Sequence, residues 1–204
     1  MLNLINYIYK YGSLCFRSSM YICKGISSFV GLVVNQTTVD IQRIHKLGVK
    51  KIAVTSLPPL GCVPEITISS SYKACNNTYN MLISIHNTYL LDAVEKLNKG
   101  GESSKKKLNF VMLNLYQSFM SVLNERKKEN SNNNRMKDAF KPCCAGVSSE
   151  YSCGSVDEKQ VKKYMVCDYP KSSFFWDTVH PTQARWHAVY NKLRNTSDLQ
   201  QLHR

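Results

Sequence analysis

The chain has 204 residues, of which 43% are hydrophobic, and a formal net charge of +13 at pH 7. This length suits one domain or the larger part of one, and the hydrophobic fraction is enough for a real core. No apolar run approaches the roughly 20 residues of a transmembrane helix, and no aromatic residues alternate with the basic clusters, so the sequence argues against a membrane span and against nucleic acid as a partner.

The first half of the chain alternates between helical and extended patterns. Apolar residues at helical spacing predict a helix over 26–47, which a glycine ends. The segment 51–57 is short, rich in β-formers and stopped by two prolines, so it predicts a buried strand. A loop rich in Gly, Pro and Ser then carries Cys62 and Cys75, and a second helix is predicted over 79–97.

The second half continues this alternation. The pattern predicts a strand at 108–113, a helix around 117–126, a low-complexity loop at 127–135, a short strand at 174–176 and a last helix over 181–194. Helices and strands that alternate along a chain predict an α/β fold, in which a parallel sheet carries helices on both faces.

An apolar run near the end of the chain stops at Asp177 and His180, and Pro181 follows at once. A carboxylate at this separation can accept the Nδ1–H of the imidazole, fix its tautomer and leave Nε2 free as a general base. Pro181 forces His180 out of the helical region and is a favourable first helical residue, which places the pair on a strand-to-helix loop. Chemistry is common at such loops in α/β sheets, although a buried His beside a solvated Asp is the alternative interpretation.

Eight cysteines are many for this length. Two of them, Cys143 and Cys144, are adjacent rather than spaced as zinc ligands, and no histidine lies at ligand spacing. Disulfides in an oxidising compartment are therefore favoured over a zinc site. The candidates for disulfides are Cys62, Cys75, Cys143, Cys144, Cys153 and Cys167. Cys62 and Cys75 form the natural short loop, whereas the other four permit three pairings that stay open.

Three Asn-x-Ser/Thr sequons, at Asn35, Asn76 and Asn195, agree with passage through a secretory compartment. The first twenty residues contain Lys10 and Arg17 among scattered apolar residues and do not resemble a signal peptide. A disulfide-rich chain without an export signal leads us to expect that the natural start lies upstream of Met1.

Five segments together resemble the plant GDSL esterase/lipase family, a branch of the SGNH hydrolases. They are 51–64 (KIAVTSLPPLGCVP), 75–80 (CNNTYN), 143–146 (CCAG), 161–170 (VKKYMVCDYP) and 174–181 (FFWDTVHP). They occur in the family's order. The resemblance implies a flavodoxin-like three-layer α/β/α fold with a parallel sheet, here without its N-terminal strand or strands. It also implies a divergent segment at 1–25, the C-terminal portion of one hydrolase domain at 26–194, and a tail at 195–204.

The same resemblance implies an activity, the hydrolysis of carboxylic or lipid esters by a serine nucleophile, with neither metal nor organic cofactor. Carried over to this chain, His180 is similar to the family's general base and Asp177 to its orienting carboxylate. The family is secreted, which agrees with the cysteines and sequons.

The family's serine is the part of the triad that this chain does not supply. The Gly-Asp-Ser-Leu block lies before every segment matched here. Gly12-Ser13-Leu14 lacks the Asp, and Gly101-Glu102-Ser103 lies in a polar, Lys-rich linker, so no nucleophile is identified. Residues 4–7 resemble a degraded oxyanion block in which Ile5 replaces the Asn. We therefore expect the chain alone to be nearly inactive.

Three hypotheses follow. The first is that the sequence is the C-terminal part of a secreted serine esterase. The second is a non-catalytic secreted binding module on the same scaffold, whose positive charge would suit acidic cell-wall polymer. The third is a remnant that does not fold, because deletion of the first strand of a parallel sheet leaves an unpaired edge.

Overall fold

The computed structural model describes residues 20–100, 110–131 and 139–202, without the side chains of 20–24, 126–131, 197, 198 and 201. The longer helices are α1 (Met20–Lys46), α3 (Asn77–Lys99), α4 (Leu115–Ser131) and α5 (Gln183–Arg194). The shorter ones are α2 (Pro64–Thr67), which lies between 3₁₀ turns at Leu60–Cys62 and Ile68–Ser70, and α6 (Ser197–Leu202). The strands are β1 (Ile52–Thr55), β2 (Phe110–Leu113), β3 (Cys144–Gly146) and β4 (Tyr164–Val166).

This order confirms an α/β chain. Helices α1 and α3 and strands β1 and β2 lie where the hydrophobic pattern predicts them. Strands β1 and β2 pair in parallel, from Ile52 opposite Phe110 to Thr55 opposite Leu113. Strands β3 and β4 pair antiparallel as a separate two-stranded sheet. No helix in the described part of the chain is both long and apolar enough to cross a bilayer.

Three predicted elements differ from the structure. Helix α4 continues to Ser131, into the predicted loop 127–135, because its Arg, Lys and Glu residues are good helix formers; residues 132–135 lie outside the described part. The segment 174–176 is not a regular strand, since Phe175 makes only isolated bridges to Pro142 and Pro181. That second bridge holds Pro181 in extended pairing, so the last helix begins at Gln183 rather than at Pro181.

The described residues form two compact units. The first comprises those before Pro59, those of 77–117 and those from Leu193 onward. Its helices α1 and α3 pack together, and each buries one apolar face. The buried side chains are Ile26, Val30, Val34 and Ile41 on α1, and Leu82, Ile83, Leu90 and Val94 on α3. Helix α6 packs Leu199 and Leu202 against Val111 and Leu113 of β2, so residues 197–202 cover the strand.

Two asparagines of α3 bind the strands of this unit by their side-chain amides. Asn98 accepts the N–H of Phe110 at 3.1 Å and donates to its carbonyl at 2.8 Å. Asn87 accepts the N–H of Leu57 at 2.9 Å and donates to the carbonyl of Leu57 at 3.0 Å. Each amide therefore satisfies both polar groups of one backbone residue, as a neighbouring strand would.

The second unit comprises 59–76 and the described residues of 118–192. Its core is aromatic: Phe119 lies 5.1 Å from Phe174 and 6.2 Å from Phe175, measured between ring centroids. In the β3–β4 hairpin, a side chain at Gly146 would overlap the carbonyl oxygen of Tyr151, so only glycine fits there. This unit contains Asp177, His180 and the six candidate cysteines.

The Asn98 contact yields a stability prediction. Asn98→Ala leaves the buried N–H and C=O of Phe110 without their partner, so we expect the free energy of unfolding to fall by about 1–3 kcal/mol. Urea unfolding followed by circular dichroism measures this loss. Asp92→Ala, an exposed site on the same helix, is the matched control and should stay within about 0.5 kcal/mol of the parent chain. Equal stabilities for the two variants would contradict the structural role of Asn98.

Candidate active site

Asp177 and His180 lie on a loop whose two ends are held together by backbone pairing. Phe175 and Pro181 form an antiparallel bridge, and the N–H of Trp176 donates to the carbonyl of His180 at 2.7 Å. The loop is thus closed at its base and lies shortly before α5, but isolated bridges stand where the sequence predicts a strand.

Asp177 organises the loop with its carboxylate. Its Oδ1 accepts the backbone N–H of Val179 at 2.8 Å and of His180 at 2.7 Å. The imidazole Nδ1 of His180 lies 2.9 Å from Oδ2 and 3.1 Å from Oδ1. The structure therefore brings the two candidate residues into direct contact, in the geometry that fixes a tautomer with Nδ1–H toward the carboxylate.

The two side chains differ in exposure. Asp177 is 26% exposed, whereas His180 is 72% exposed, and its Nε2 makes no hydrogen bond to any described residue. Partial burial acts to raise the pKa of Asp177, but the N–H groups of His180 and Val179 and the His180 side chain outweigh it and lower that pKa below its ordinary value. Asp177 is therefore ionised at neutral pH and can stabilise a protonated imidazole.

The loop is anchored on one side by the cysteine segment. The N–H of Cys143 donates to the carbonyl of Phe175 at 3.0 Å, and that of Cys144 donates to Trp176 at 2.6 Å. Disulfides join Cys143 to Cys167 and Cys144 to Cys153, which resolves the pairing that the sequence left open. The residues directly before Asp177 are thus fixed to a segment that two covalent bonds hold in place.

A second anchor comes from the segment around α2. The N–H of Glu65 donates to the carbonyl of Thr178, inside the loop, at 2.9 Å. A disulfide joins Cys62 to Cys75, and the N–H of Asn76 donates to Gly61 at 2.7 Å beside it. All six candidate cysteines are therefore disulfide-bonded, and all three bridges brace segments that carry or contact the loop.

Thr182 is a supporting residue that our sequence reasoning missed. Its buried hydroxyl donates to the carbonyl of Ser173 at 3.0 Å, and its N–H donates to Phe174 at 2.9 Å. The N–H of Arg185 reaches the same hydroxyl at 3.4 Å, so Thr182 also caps α5. A threonine directly before a helical pattern is typical of a helix N-cap, and this signal could have identified Thr182 from the sequence.

The other sequence candidates lie away from this loop or outside the described residues. Asn35 is exposed on α1, Asn76 is half-buried, and Asn195 is exposed between α5 and α6. Ser13, Ser103 and the segment 4–7 fall outside the described residues. Within 20–100, 110–131 and 139–202 there is no group of three His, Cys, Asp or Glu side chains that could hold a metal ion.

The arrangement can accept and return a proton. An imidazole whose Nδ1 is held by an ionised carboxylate can remove a proton through Nε2 from any hydroxyl or water that comes within about 3 Å. No described hydroxyl hydrogen-bonds to His180. Among the described residues the site thus consists of an imidazole and the carboxylate that orients it.

Comparison with known proteins identifies a family that this chain matches. The GDSL-like lipase/acylhydrolase family model matches residues 26–193, a range that contains Asp177 and His180. In Arabidopsis thaliana, GDSL esterase/lipase At5g03610 is 50% identical over 83% of this chain and 46% of the relative. GDSL esterase/lipase At3g09930 is 42% identical over 82% of this chain and 46% of the relative. The chain spans about half the length of the curated relatives it matches.

Because the pKa of Asp177 is lowered in the folded protein, the contribution of its charge to stability should depend on pH. A carboxyl whose pKa is lower in the folded state stabilises that state above its ordinary value of about 4 and loses this effect as the pH falls through the folded value. We therefore expect Asp177→Asn to lower the thermal midpoint at pH 7, and the difference from the parent chain to disappear in acid.

Calorimetry from pH 2 to pH 7 measures this difference, with Asp92→Asn as the exposed control. A difference that is unchanged at pH 2 would show that the Asp177 charge does not stabilise the loop.

Proposed function

Because the chain belongs to the GDSL-like lipase/acylhydrolase family, we propose that it supplies the general base and orienting carboxylate of a carboxylic-ester hydrolase. The observation that carries this proposal is the contact between the Asp177 carboxylate and Nδ1 of His180, at 2.9 Å, with Nε2 exposed. The relatives named as esterase/lipase support an ester as the substrate class. Neither metal nor organic cofactor has a role in the proposal.

The proposed reaction is acyl transfer through a serine. His180 Nε2 takes the proton of the serine hydroxyl while the serine oxygen attacks the ester carbonyl. The tetrahedral intermediate then collapses, the carbonyl–alkoxide bond breaks, and the imidazolium gives its proton to the leaving alcohol. Water attacks the acyl-enzyme with the same base, which releases the acid and restores the serine. Asp177 stabilises the imidazolium in both steps.

The nucleophile in this proposal comes from a part of the longer proteins that the chain does not match. The family's serine block precedes the segments recognised in the sequence. We propose that residues 26–194 form the C-terminal portion of one three-layer, flavodoxin-like domain. The parallel pairing of β1 with β2 supports this, since parallel strands joined by a helix are the repeating unit of such folds.

Secretion is part of the proposal. Three disulfides are typical of an oxidising compartment, and the sequon residues Asn35 and Asn195 are exposed to modification. The net charge of +13 would hold the protein near acidic cell-wall polymer. This charge would concentrate the enzyme on a surface without choosing its ester.

A single-chain fusion tests the catalytic role. The part of At5g03610 that precedes its match is joined to residue 26 of this chain and produced in an oxidising host. We expect hydrolysis of p-nitrophenyl esters, and His180→Ala to lower kcat/KM by about 10²–10⁴-fold because the base is lost. His187→Ala, an exposed histidine on α5, is the matched control and should keep the parent rate.

Fluorophosphonate labelling separates the alternatives. The chain alone should not label, whereas the fusion should label in a manner that depends on His180. A folded, disulfide-bonded fusion that neither labels nor turns over would contradict the esterase proposal and favour the non-catalytic binding module. Turnover that survives His180→Ala would show that another group is the base.

A further inference from the structure

The base of the His180 loop has a buried side and an exposed side. Phe175 forms bridges to both Pro142 and Pro181, and all three residues are buried. Because successive side chains of extended backbone point to opposite sides, the neighbouring Trp176 and His180 lie on the outer side. The exposure of the two side chains agrees with this, since Trp176 is 37% exposed and the His180 side chain 72%.

The same outer side continues onto the β3–β4 hairpin. Cys144 is fully buried at the start of β3, so the next residue, Ala145, and its cross-strand partner Met165 face outward. The N–H of Val147 donates to the carbonyl of Lys163 at 3.0 Å, which extends the pairing beyond the regular strands. Val147, two residues after Ala145, therefore lies on the outer side as well.

Large apolar side chains are exposed on this side. Met165 is 68% exposed and Val147 is 51% exposed. Val147, Met165 and Trp176 are called the apolar face below. Lys163 lies on the same side as Met165, and its ammonium is paired with the carboxylate of Asp157 at 3.0 Å. Exposed apolar side chains gathered on one side, with the nearest charge compensated, are typical of a surface that meets a partner.

The residue types and the charge of the chain favour a lipid surface as that partner. Trp and Tyr are the side chains preferred at a membrane interface, and Tyr169, which follows β4, is 75% exposed. The exposed Lys159 and Lys162 are offset locally by the exposed Glu158 and Asp168. Apolar contact therefore determines where the chain binds, and its net charge of +13 strengthens binding to anionic headgroups.

We propose that the apolar face binds the surface of an anionic lipid membrane without crossing it. Val147, Met165 and Trp176 enter the interface, and His180, on the same side, lies at the lipid surface. The binding does not rest on the proposed function. Only its consequence does: an ester hydrolase held in this way takes its ester from the lipid surface rather than from the surrounding water.

Vesicle sedimentation with this chain, produced in an oxidising host, tests the surface. The chain should sediment with phosphatidylcholine vesicles that contain about one-third phosphatidylserine, and less with phosphatidylcholine alone. Met165→Ser should lower the partition coefficient by about tenfold, because it removes apolar area from the contact. Leu32→Ser is the matched control: Leu32 is also 68% exposed but lies on α1, and this variant should bind like the parent chain.

Fluorescence quenching by brominated lipid reports which residues touch the membrane. The chain has two tryptophans, so Trp186→Phe leaves Trp176 as the reporter. Its emission should be quenched by vesicles of brominated phosphatidylcholine and phosphatidylserine and should shift to shorter wavelength. Trp176→Phe leaves Trp186, which is 40% exposed on α5, and its quenching should be much weaker.

Several results would overturn the proposal. A folded, disulfide-bonded chain that does not sediment with anionic vesicles is one, and equal binding by Met165→Ser and Leu32→Ser is another. So is a bound chain whose Trp176 is not quenched. Self-association that Met165→Ser abolishes would identify a second copy as the occupant. The single-chain fusion should bind the same vesicles, and loss of binding in the fusion would show that the apolar face is covered there.

Binding and activity are measured separately. If the fusion binds vesicles through the apolar face but neither labels with fluorophosphonate nor turns over, the lipid surface is supported and the esterase proposal is contradicted. A fusion with His180-dependent activity that does not bind vesicles would give the reverse result. The two proposals can therefore fail independently.

Discussion

The hydrogen bonds from Cys143 and Cys144 to the carbonyls of Phe175 and Trp176 are the interaction on which the site depends. They fix the two residues immediately before Asp177, and the disulfides to Cys167 and Cys153 fix the donors in turn. Within the loop, Asp177 holds Val179 and His180 by local contacts, and Thr178 accepts one long-range hydrogen bond, from Glu65. Among the described residues there is little regular sheet around this loop, so the two disulfides brace the segment that holds Asp177 in place.

The site was predictable where its contacts are local. Asp177 and His180 are three residues apart, so their types and spacing alone suggest the carboxylate–imidazole contact that the structure contains. The hydrogen bond from the N–H of Glu65 to the carbonyl of Thr178 joins residues far apart in sequence, and no pattern in either segment predicts it. The sequence also could not predict how the clustered cysteines pair. Adjacent cysteines close loops of nearly equal length, and only the folded hairpin determines which side chain faces which partner.

The helices and strands, like the site, were predictable where a local pattern determines them. The helical spacing of apolar residues located α1 and α3 because each helix buries a regular face, whereas β1 and β2 were located as short runs of β-forming residues. The start of the last helix was displaced because Pro181, favourable as a first helical residue, bridges to Phe175 instead, and Thr182 then provides the cap. Similarly, the amides of Asn87 and Asn98 bind the strands in place of backbone partners, a substitution that composition alone does not reveal.

The neighbouring positions of Cys143 and Cys144 have a consequence for biosynthesis. Cys143 directly precedes β3, and Cys144 begins it. Because successive side chains of an extended segment point to opposite sides, an exchange of partners between the two cysteines would require this segment to turn over and would displace the donors that hold Phe175 and Trp176. In the exchanged pairing each disulfide loop would differ in length from the observed one by a single residue, and in both pairings the loops are of modest size. Formation of the site during biosynthesis therefore requires that the bridges close in the observed pairing, and thiol–disulfide exchange that swapped the partners would undo it.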